Sequence, residues 1–267
     1  MEYEGLILQK EGNIAIIKLN RPEKLNALTK PMVEKALPSV AEELRKDKDV
    51  RVVVITGMGR GFCGGFDVAD MAAMGSEVET NKVGARETML EFMKCFALSL
   101  QNLEKPAIAA INGAAVGIGI TLAAFCDIRI ASEDSIFTMA FVKRGVVPDC
   151  GSTYILPRLM GLSKTLELMF TGDIIDAKEA ERLGLVDKVV PSKDLMNVTM
   201  ELAGKIAQGP PITIKLIKEA AYRGIYNSLE QQLEFETCAN ELCMKTEDHH
   251  EGVKAFLEKR EPVFRGQ

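Results

Sequence analysis

Ala107-Ile108-Ala109-Ala110-Ile111-Asn112-Gly113-Ala114-Ala115-Val116-Gly117-Ile118-Gly119-Ile120 is the stretch whose reading decides the fold. Ala107–Ile111 is an unbroken apolar run, the pattern of a strand buried on both faces. The run stops at Asn112-Gly113 and passes through small residues into a short apolar helix predicted over 117–125. The same order occurs upstream, where a buried, β-branched strand over 50–56 leads into the glycine-rich residues 57–65. Within these, Gly59-Arg60-Gly61-Phe62-Cys63-Gly64 fits G-x-G-x-x-G. A dinucleotide site also needs a second strand ending in an acid ~20 residues on. The chain there reads Ala72-Ala73-Met74-Gly75-Ser76-Glu77, without a strand, so Rossmann-type binding is not expected. Each turn could instead offer a backbone N–H near a helix start. Two such turns in one sheet could grip one oxyanion, which points to chemistry on a thioester or another carbonyl.

Working outward, Leu6-Ile7-Leu8 and Ile14–Leu19 flank Glu11-Gly12-Asn13 as a hairpin. A helix follows through Val33, Ala36, Leu37, Val40 and Leu44, bent by Pro38. After a polar stretch around 75–82, a long helix runs through Met89, Phe92, Met93, Phe96 and Leu100. Short strands are predicted at Ile128-Arg129-Ile130 and Ile136-Phe137-Thr138-Met139. Strand pairs punctuated by helices thus recur over roughly fifty residues, an α/β pattern whose turns could stack as a spiral. From about Gly151 the chain is mainly helical, with Asp176 as an N-cap, a late strand over 185–190, and helices around 193–207, 211–224 and 228–260. The last should break near Thr246-Glu247-Asp248. No Gly/Ser linker intervenes, so one continuous domain is expected: an α/β core over 1–195 and a C-terminal helical region over 196–267.

Composition excludes several classes. With 267 residues, 47% hydrophobic and 27% charged, the chain is ordinary globular protein. Its net charge of −5 disfavours nucleic acid as a partner. No apolar run reaches the ~20 residues of a membrane span, and no targeting pattern is visible, so a cytoplasmic protein is expected. The six cysteines, at 63, 95, 126, 150, 238 and 243, include no C-x-x-C pair and suit a reducing compartment. The only histidines are the adjacent His249 and His250, about 100° apart on a helix, so no metal site is expected. Their position also leaves a Ser-His-Asp or Cys-His catalytic set without support.

Four motifs, in order, carry a resemblance: Arg21-Pro22-Glu23-Lys24-Leu25-Asn26-Ala27-Leu28, Phe62-Cys63-Gly64-Gly65-Phe66-Asp67, Lys105-Pro106-Ala107-Ile108-Ala109-Ala110-Ile111-Asn112-Gly113 and Cys126-Asp127-Ile128-Arg129. Together with the ending Ala255-Phe256-Leu257-Glu258-Lys259-Arg260, they resemble the enoyl-CoA hydratase/isomerase (crotonase) family over essentially the whole chain. The resemblance implies a spiral of strand-strand-helix turns with a C-terminal helical extension, assembly as a homotrimer or a dimer of trimers, and acyl-CoA thioester substrates. Coenzyme A would be part of the substrate, with no separate cofactor. The backbone N–H groups of Gly64 and Ile118 would form the oxyanion hole. Most relatives have Gly at the position of Ile118, and the donor survives there if Ile118 keeps a negative φ. Lys24 and Ala27 would lie by the CoA adenine and phosphates, with Gly65, Phe66 and Asp67 in the same CoA-facing set. Phe256 and Lys259 would reach a neighbouring subunit's CoA.

The reaction turns on carboxylates. In the family, hydration uses two, at positions that match Thr121 and Phe141 here, and neither can serve. One acid remains in that region: Asp149, in Gly145-Val146-Val147-Pro148-Asp149-Cys150-Gly151-Ser152. Read from the residues alone, Pro-Asp before a helix is a turn or N-cap. By resemblance, Asp149 matches the carboxylate of Δ3,Δ2-enoyl-CoA isomerases, usually Glu but Asp in ring-isomerase relatives of phenylacetate breakdown. The expected activity is therefore 3-enoyl-CoA to 2-enoyl-CoA isomerisation through Asp149. An aryl- or ring-epoxide-CoA isomerase, an enoyl-CoA hydratase and a non-catalytic CoA-binding scaffold are the alternatives. Glu87 and Glu91 are the acids that could restore a two-carboxylate mechanism, against their plainer reading as a solvated helix face.

Overall fold

The computed structural model describes residues 1–80 and 84–267. In chain order the elements are β1 (Glu2–Tyr3), β2 (Leu6–Glu11), β3 (Ile14–Leu19), α1 (Leu37–Lys46), β4 (Val52–Gly57), β5 (Gly61–Cys63), α2 (Val68–Thr80) and α3 (Ala85–Gln101). There follow β6 (Ala107–Ile111), β7 (Ala114–Val116), α4 (Ile118–Ala124), β8 (Ile128–Ser132), β9 (Ile136–Thr138), α5 (Ser152–Met160) and α6 (Leu162–Thr171). The chain ends with β10 (Ile174–Asp176), α7 (Ala177–Arg182), β11 (Lys188–Val190), α8 (Leu195–Ala207), α9 (Pro211–Gly224), α10 (Leu229–Met244) and α11 (Glu247–Glu258). A π-type turn over Met32–Ala36 precedes α1, where Pro38 lacks the N–H to continue an α-helical ladder backwards.

Two sheets form a spiral. Each of the pairs β4–β5, β6–β7 and β8–β9 gives its first strand to a seven-stranded sheet ordered β1-β2-β3-β4-β6-β8-β11. The second strand goes to a four-stranded sheet ordered β10-β9-β7-β5. The neighbours β3, β4, β6, β8 and β11 pair parallel, as do β5, β7 and β9. The predicted even repeat does not hold. The units start at Val52, Ala107 and Ile128, because α2 and α3 both lie within the first. The polar stretch predicted around 75–82 is helical as far as Thr80, and residues 81 and 82 lie outside the described residues. The late strand is shorter than predicted, with Leu185 and Val186 buried in the turn before it.

The apolar runs of β4 and β6 serve two cores at once. Val53, Ile55, Ala107, Ala109 and Ile111 face the main core. Val52, Val54, Ile108 and Ala110 face a second one closed by Leu195, Ala203 and Ala207 of α8. Alternate residues point to opposite faces of a strand, so burial on both sides demands the unbroken apolar sequence. The C-terminal helices are tied on by polar contacts. Lys218 on α9 donates to Lys105 O (2.8 Å) and pairs with Asp127 (2.7 Å), which also accepts from Tyr222 (2.9 Å) and from the Ala107 N–H (2.7 Å). Asp176 caps α7 and Thr246 caps α11, each accepting from the N–H three residues on, so the long C-terminal helix breaks where predicted. Among the described residues no helix is long and apolar enough to cross a membrane.

Candidate functional site

The two glycine-rich turns lie side by side. β5 and β7 are parallel neighbours, with Gly61 opposite Ala114 and Cys63 opposite Ala115, so both turns leave the carboxyl end of the four-stranded sheet's strands side by side. Carboxyl ends of parallel strands are where open α/β folds place ligands. The turns also touch. A Cβ on Gly119 would lie 2.4 Å from Cys63 O, so α4 sits flush on the last residue of β5.

The first turn is held by the loop over 21–28. Leu25 and Asn26 take left-handed φ values of 50° and 59°, and Asn26 is fully buried. Its Oδ1 accepts from Arg21 N (2.9 Å), and its Nδ2 donates to Met58 O (2.8 Å) and Gly61 O (2.7 Å). Leu28 N donates to Gly65 O and Asp67 N to Leu28 O, each at 2.8 Å. The Gly64 N–H also donates into this loop, to Leu25 O at 2.7 Å. That corrects the expected oxyanion donor: a Gly64 N–H bonded to Leu25 is not free for a substrate. Two residues on, the Phe66 N–H donates to nothing among the described residues.

Asp67, expected among the CoA-facing residues, is held by its own neighbours. It pairs with Arg21 at 2.9 Å and its Oδ1 accepts from Ala69 N at the start of α2 (3.0 Å). Its hydrogen bond with Arg21 holds the carboxyl below its ordinary range. Lys24 and Ala27 stand on the same loop, linked by the Ala27 N–H to Lys24 O bond (3.0 Å).

In the second turn Gly117 has φ 52°, ψ −117°, and its N–H donates to Thr138 O at 2.9 Å. This bend directs the chain into α4, whose first N–H, that of Ile118, donates to nothing among the described residues. Ile118 is absent from the residues with positive φ, so the side chain imposes no strain on the donor.

A cavity of about 400 Å³ gathers Gly64, Gly65, Phe66, Ile118, Phe141 and Asp149. Its roof is largely apolar: Met71 and Met74 from α2, and Met89, Phe92 and Met93 from α3. Asp149 is partly buried, and desolvation raises its carboxyl above the ordinary value. The N-cap reading does not survive. Gly151 is the N-cap of α5, no side chain bonds there, and only the Asp149 backbone carbonyl accepts, from Ser152 N at 2.9 Å.

Lys24, Ala27, Asp67, Phe256 and Lys259 do not line this cavity. Phe256 is 83% exposed on α11, and Lys259 is the left-handed residue that ends that helix. Thr121 is buried behind the wall, and Phe141 is on it. Glu87 and Glu91 are exposed on α3 away from the wall, Glu91 pairing with Lys94 at 2.9 Å. Sequence reading missed two charged wall residues, Glu79 and Arg144, both exposed. The helix α2, which carries Glu79, runs through the stretch read only as polar, so its reach to the wall left no sequence signal.

A larger cavity, about 800 Å³, lies between α5 and α9. It holds none of the predicted catalytic residues, and its Lys218, Lys215 and Arg223 are paired with Asp127, Glu104 and Glu219. Chemistry therefore favours the smaller one. Among the described residues no cluster of His, Cys, Asp or Glu could hold a metal ion.

The chain is similar to known proteins along nearly its whole length. A family described as enoyl-CoA hydratase/isomerase matches residues 9–267. The chain is 40% identical over 261 residues to a short-chain-enoyl-CoA hydratase of Clostridium acetobutylicum, covering 97% of each. It is 35% identical over 272 residues to a 1,2-epoxyphenylacetyl-CoA isomerase of Escherichia coli, covering 99% of each. The crystal structure of an enoyl-CoA hydratase from Bacillus anthracis superposes with a TM-score of 0.90 at 35% identity, over 98% of this chain and all of that one.

Proposed function

The chain belongs to the enoyl-CoA hydratase/isomerase family, and we propose that it moves the double bond of an acyl-CoA from C3 to C2 by proton transfer through Asp149. One observation carries this reading: Asp149 is the partly buried carboxylate of the cavity, and the positions matched to a hydratase's two acids hold Thr121 and Phe141. The thioester oxygen sits between the N–H groups of Phe66 and Ile118. Asp149 removes a C2 proton, the two donors hold the resulting enolate oxygen, and the same carboxyl returns the proton at C4. A general base contributes ~10²–10⁴-fold, and one oxyanion donor ~10²–10³-fold in a comparable site. Burial helps, because a carboxylate with raised proton affinity is a stronger base. The loop carrying Lys24 and Ala27 would meet the CoA moiety beside the Gly65–Phe66–Asp67 turn.

A second reading has support in the Escherichia coli relative: isomerisation of an aryl- or epoxide-derived CoA by the same Asp. The apolar roof favours an unsubstituted aliphatic acyl chain, because methionine side chains adapt to chains of different length. Hydration would need Glu79 as the second acid, from an exposed position at the wall. The test is turnover of 3-enoyl-, 2-enoyl- and aryl-derived CoA panels, with isomerisation and water addition followed separately. We expect 3-enoyl-CoA isomerisation to exceed crotonyl-CoA hydration by at least ~10²-fold, the worth of a missing acid. Comparable rates would refute the role given to Asp149, and thioester binding without turnover would make the protein a scaffold.

Assembly as trimers or paired trimers belongs to the same proposal. Leu229, Leu233 and Leu242 on α10 and Phe256 and Leu257 on α11 are all more than half exposed in the single chain. Phe256 and Lys259 would then approach the CoA of a neighbouring copy. A mass near three or six times 29.2 kDa is expected by sedimentation, and an active monomer would end the idea.

A further inference from the structure

We infer that Phe141 shelters the proton in transit: its ring closes the cavity wall at the Gly117–Ile118 turn against water, so the proton taken from C2 is the one delivered to C4. The inference rests on Asp149 being the base, and Phe141 acts through it without being catalytic itself. Phe141 precedes a 3₁₀ turn over Val142–Arg144. Its carbonyl accepts from Arg144 N (2.9 Å) and from Val146 N (3.3 Å). These two bonds fold the chain back on itself, so Ala140, Phe141 and Val146 line the same cavity as Asp149 while Val147 is exposed.

The ring's far edge rests on Gly117. A Cβ on Gly117 would lie 3.6 Å from Cζ of Phe141, and 3.7 and 3.9 Å from its two Cε atoms. One covalently attached carbon therefore spans the gap. A water, which must stand a full van der Waals distance from both sides, does not fit, and the gap offers it no polar partner from the ring. Gly117 is also held in place. Its N–H donates to Thr138 O at 2.9 Å, and its carbonyl accepts from Ile120 N (3.0 Å) and Thr121 N (3.3 Å). When Asp149 acts, the C2–H bond breaks, the proton goes to a carboxylate oxygen and the electron pair passes into the enolate. On return the carboxyl O–H breaks and a C4–H bond forms. In between, the carboxyl is neutral and can lose its proton only to water or to another acceptor on the wall. Glu79 and Arg144, both exposed, carry the other polar side chains there, and a guanidinium has no acceptor. Keeping water out of this interval is what prevents leakage of the proton.

The test is a single turnover of a 3-enoyl-CoA in deuterated water, with deuterium at C4 of the product read by mass spectrometry. The wild type should label fewer than half of its product molecules, exchange with solvent being the minority path. Phe141→Ala opens the wall, so the labelled fraction should rise ~2-fold or more. Phe141→Leu keeps apolar bulk on Gly117 and should stay near the wild type. A purely structural role would lower the melting temperature of Phe141→Ala and leave the labelled fraction unchanged, which overturns the inference, as does a wild type that labels C4 completely. If Phe141→Ala does not fold, Phe141→Val decides alone: a fraction above the wild type's supports sheltering, and an equal one ends it. The parent reading is checked separately. An Asp149→Asn enzyme that still isomerises removes both, whereas an inactive one, beside equal labelling by the wild type and Phe141→Ala, removes only this one.

Discussion

Turnover by Asp149→Asn is expected to fall by ~10²-fold or more, with acyl-CoA binding almost unchanged. Asn matches the shape of Asp but cannot accept the C2 proton. Exchange of that proton with deuterated water should vanish together with isomerisation. Retained exchange would mean that another group abstracts the proton. The substitution should not harm the fold, because the Asp149 side chain caps no helix. Linkage fixes the sign of any stability change. The folded carboxyl has a raised proton affinity, so its contribution is full below the unfolded value near 3.8 and is lost as pH rises through the folded value. At neutral pH the wild type therefore holds a partly desolvated charge that Asn lacks. The variant's melting temperature should equal or exceed the wild type's at pH 7, and the advantage should vanish near pH 3.5. A clear loss of stability at neutral pH would restore the structural reading of Asp149.

The second large effect is expected at Gly119→Ala. Alanine is the better helix former by ~1 kcal/mol, so propensity alone predicts stabilisation of α4. Contact predicts the reverse. The new Cβ would lie 2.4 Å from Cys63 O and 2.8 Å from Cys63 Cβ, and a backbone carbonyl cannot swing aside like a flexible side chain. Overpacking of this kind costs ~1–3 kcal/mol, so the net is destabilising and the melting temperature should fall by several degrees. The catalytic loss should be larger. Cys63 leads directly into the Gly64–Gly65–Phe66 turn and Gly119 adjoins Ile118, so forcing them apart separates the two donors. Loss of ~10²-fold in kcat is expected, comparable to losing one oxyanion donor. Gly204→Ala is the control: on α8 its Cβ would meet nothing within 4 Å, so it should be neutral or slightly stabilising and keep full activity. Equal behaviour of the two variants would show that the turns are not coupled through this contact.

Much of this was legible in the residues because burial on two faces leaves a pattern. The apolar runs of β4 and β6 announce central parallel strands, and Asp176 and Thr246 announce helix starts through their own chemistry. Glycine-rich turns likewise mark where backbone must approach something closely. Sequence does not carry the partner of each N–H. Gly64 stands as the donor until the 21–28 loop is seen to engage its N–H, leaving that of Phe66 without a partner among the described residues. The separation of Asp149 from α5 depends on the dihedrals of Cys150 and Gly151, and nothing in Pro-Asp-Cys-Gly specifies them against a simple cap. Glu79 was hidden for a different reason. Its helix has no buried residue and hence no strong apolar stripe to reveal it.

The uneven spiral has a consequence for how such a protein can diversify. Its first turn contains two helices, α2 and α3, and these supply the methionine-rich roof, while the donors proposed for the thioester stand on the turns that follow β5 and β7. The roof joins the main core through few large buried side chains, Phe92, Phe96 and Leu100 of α3. Mutations at Met71, Met74 or Met89 can therefore reshape the acyl end while the donor pair keeps its geometry. Descendants of one ancestor could exchange acyl preferences by drift in that single insert, inheriting the reactive end intact.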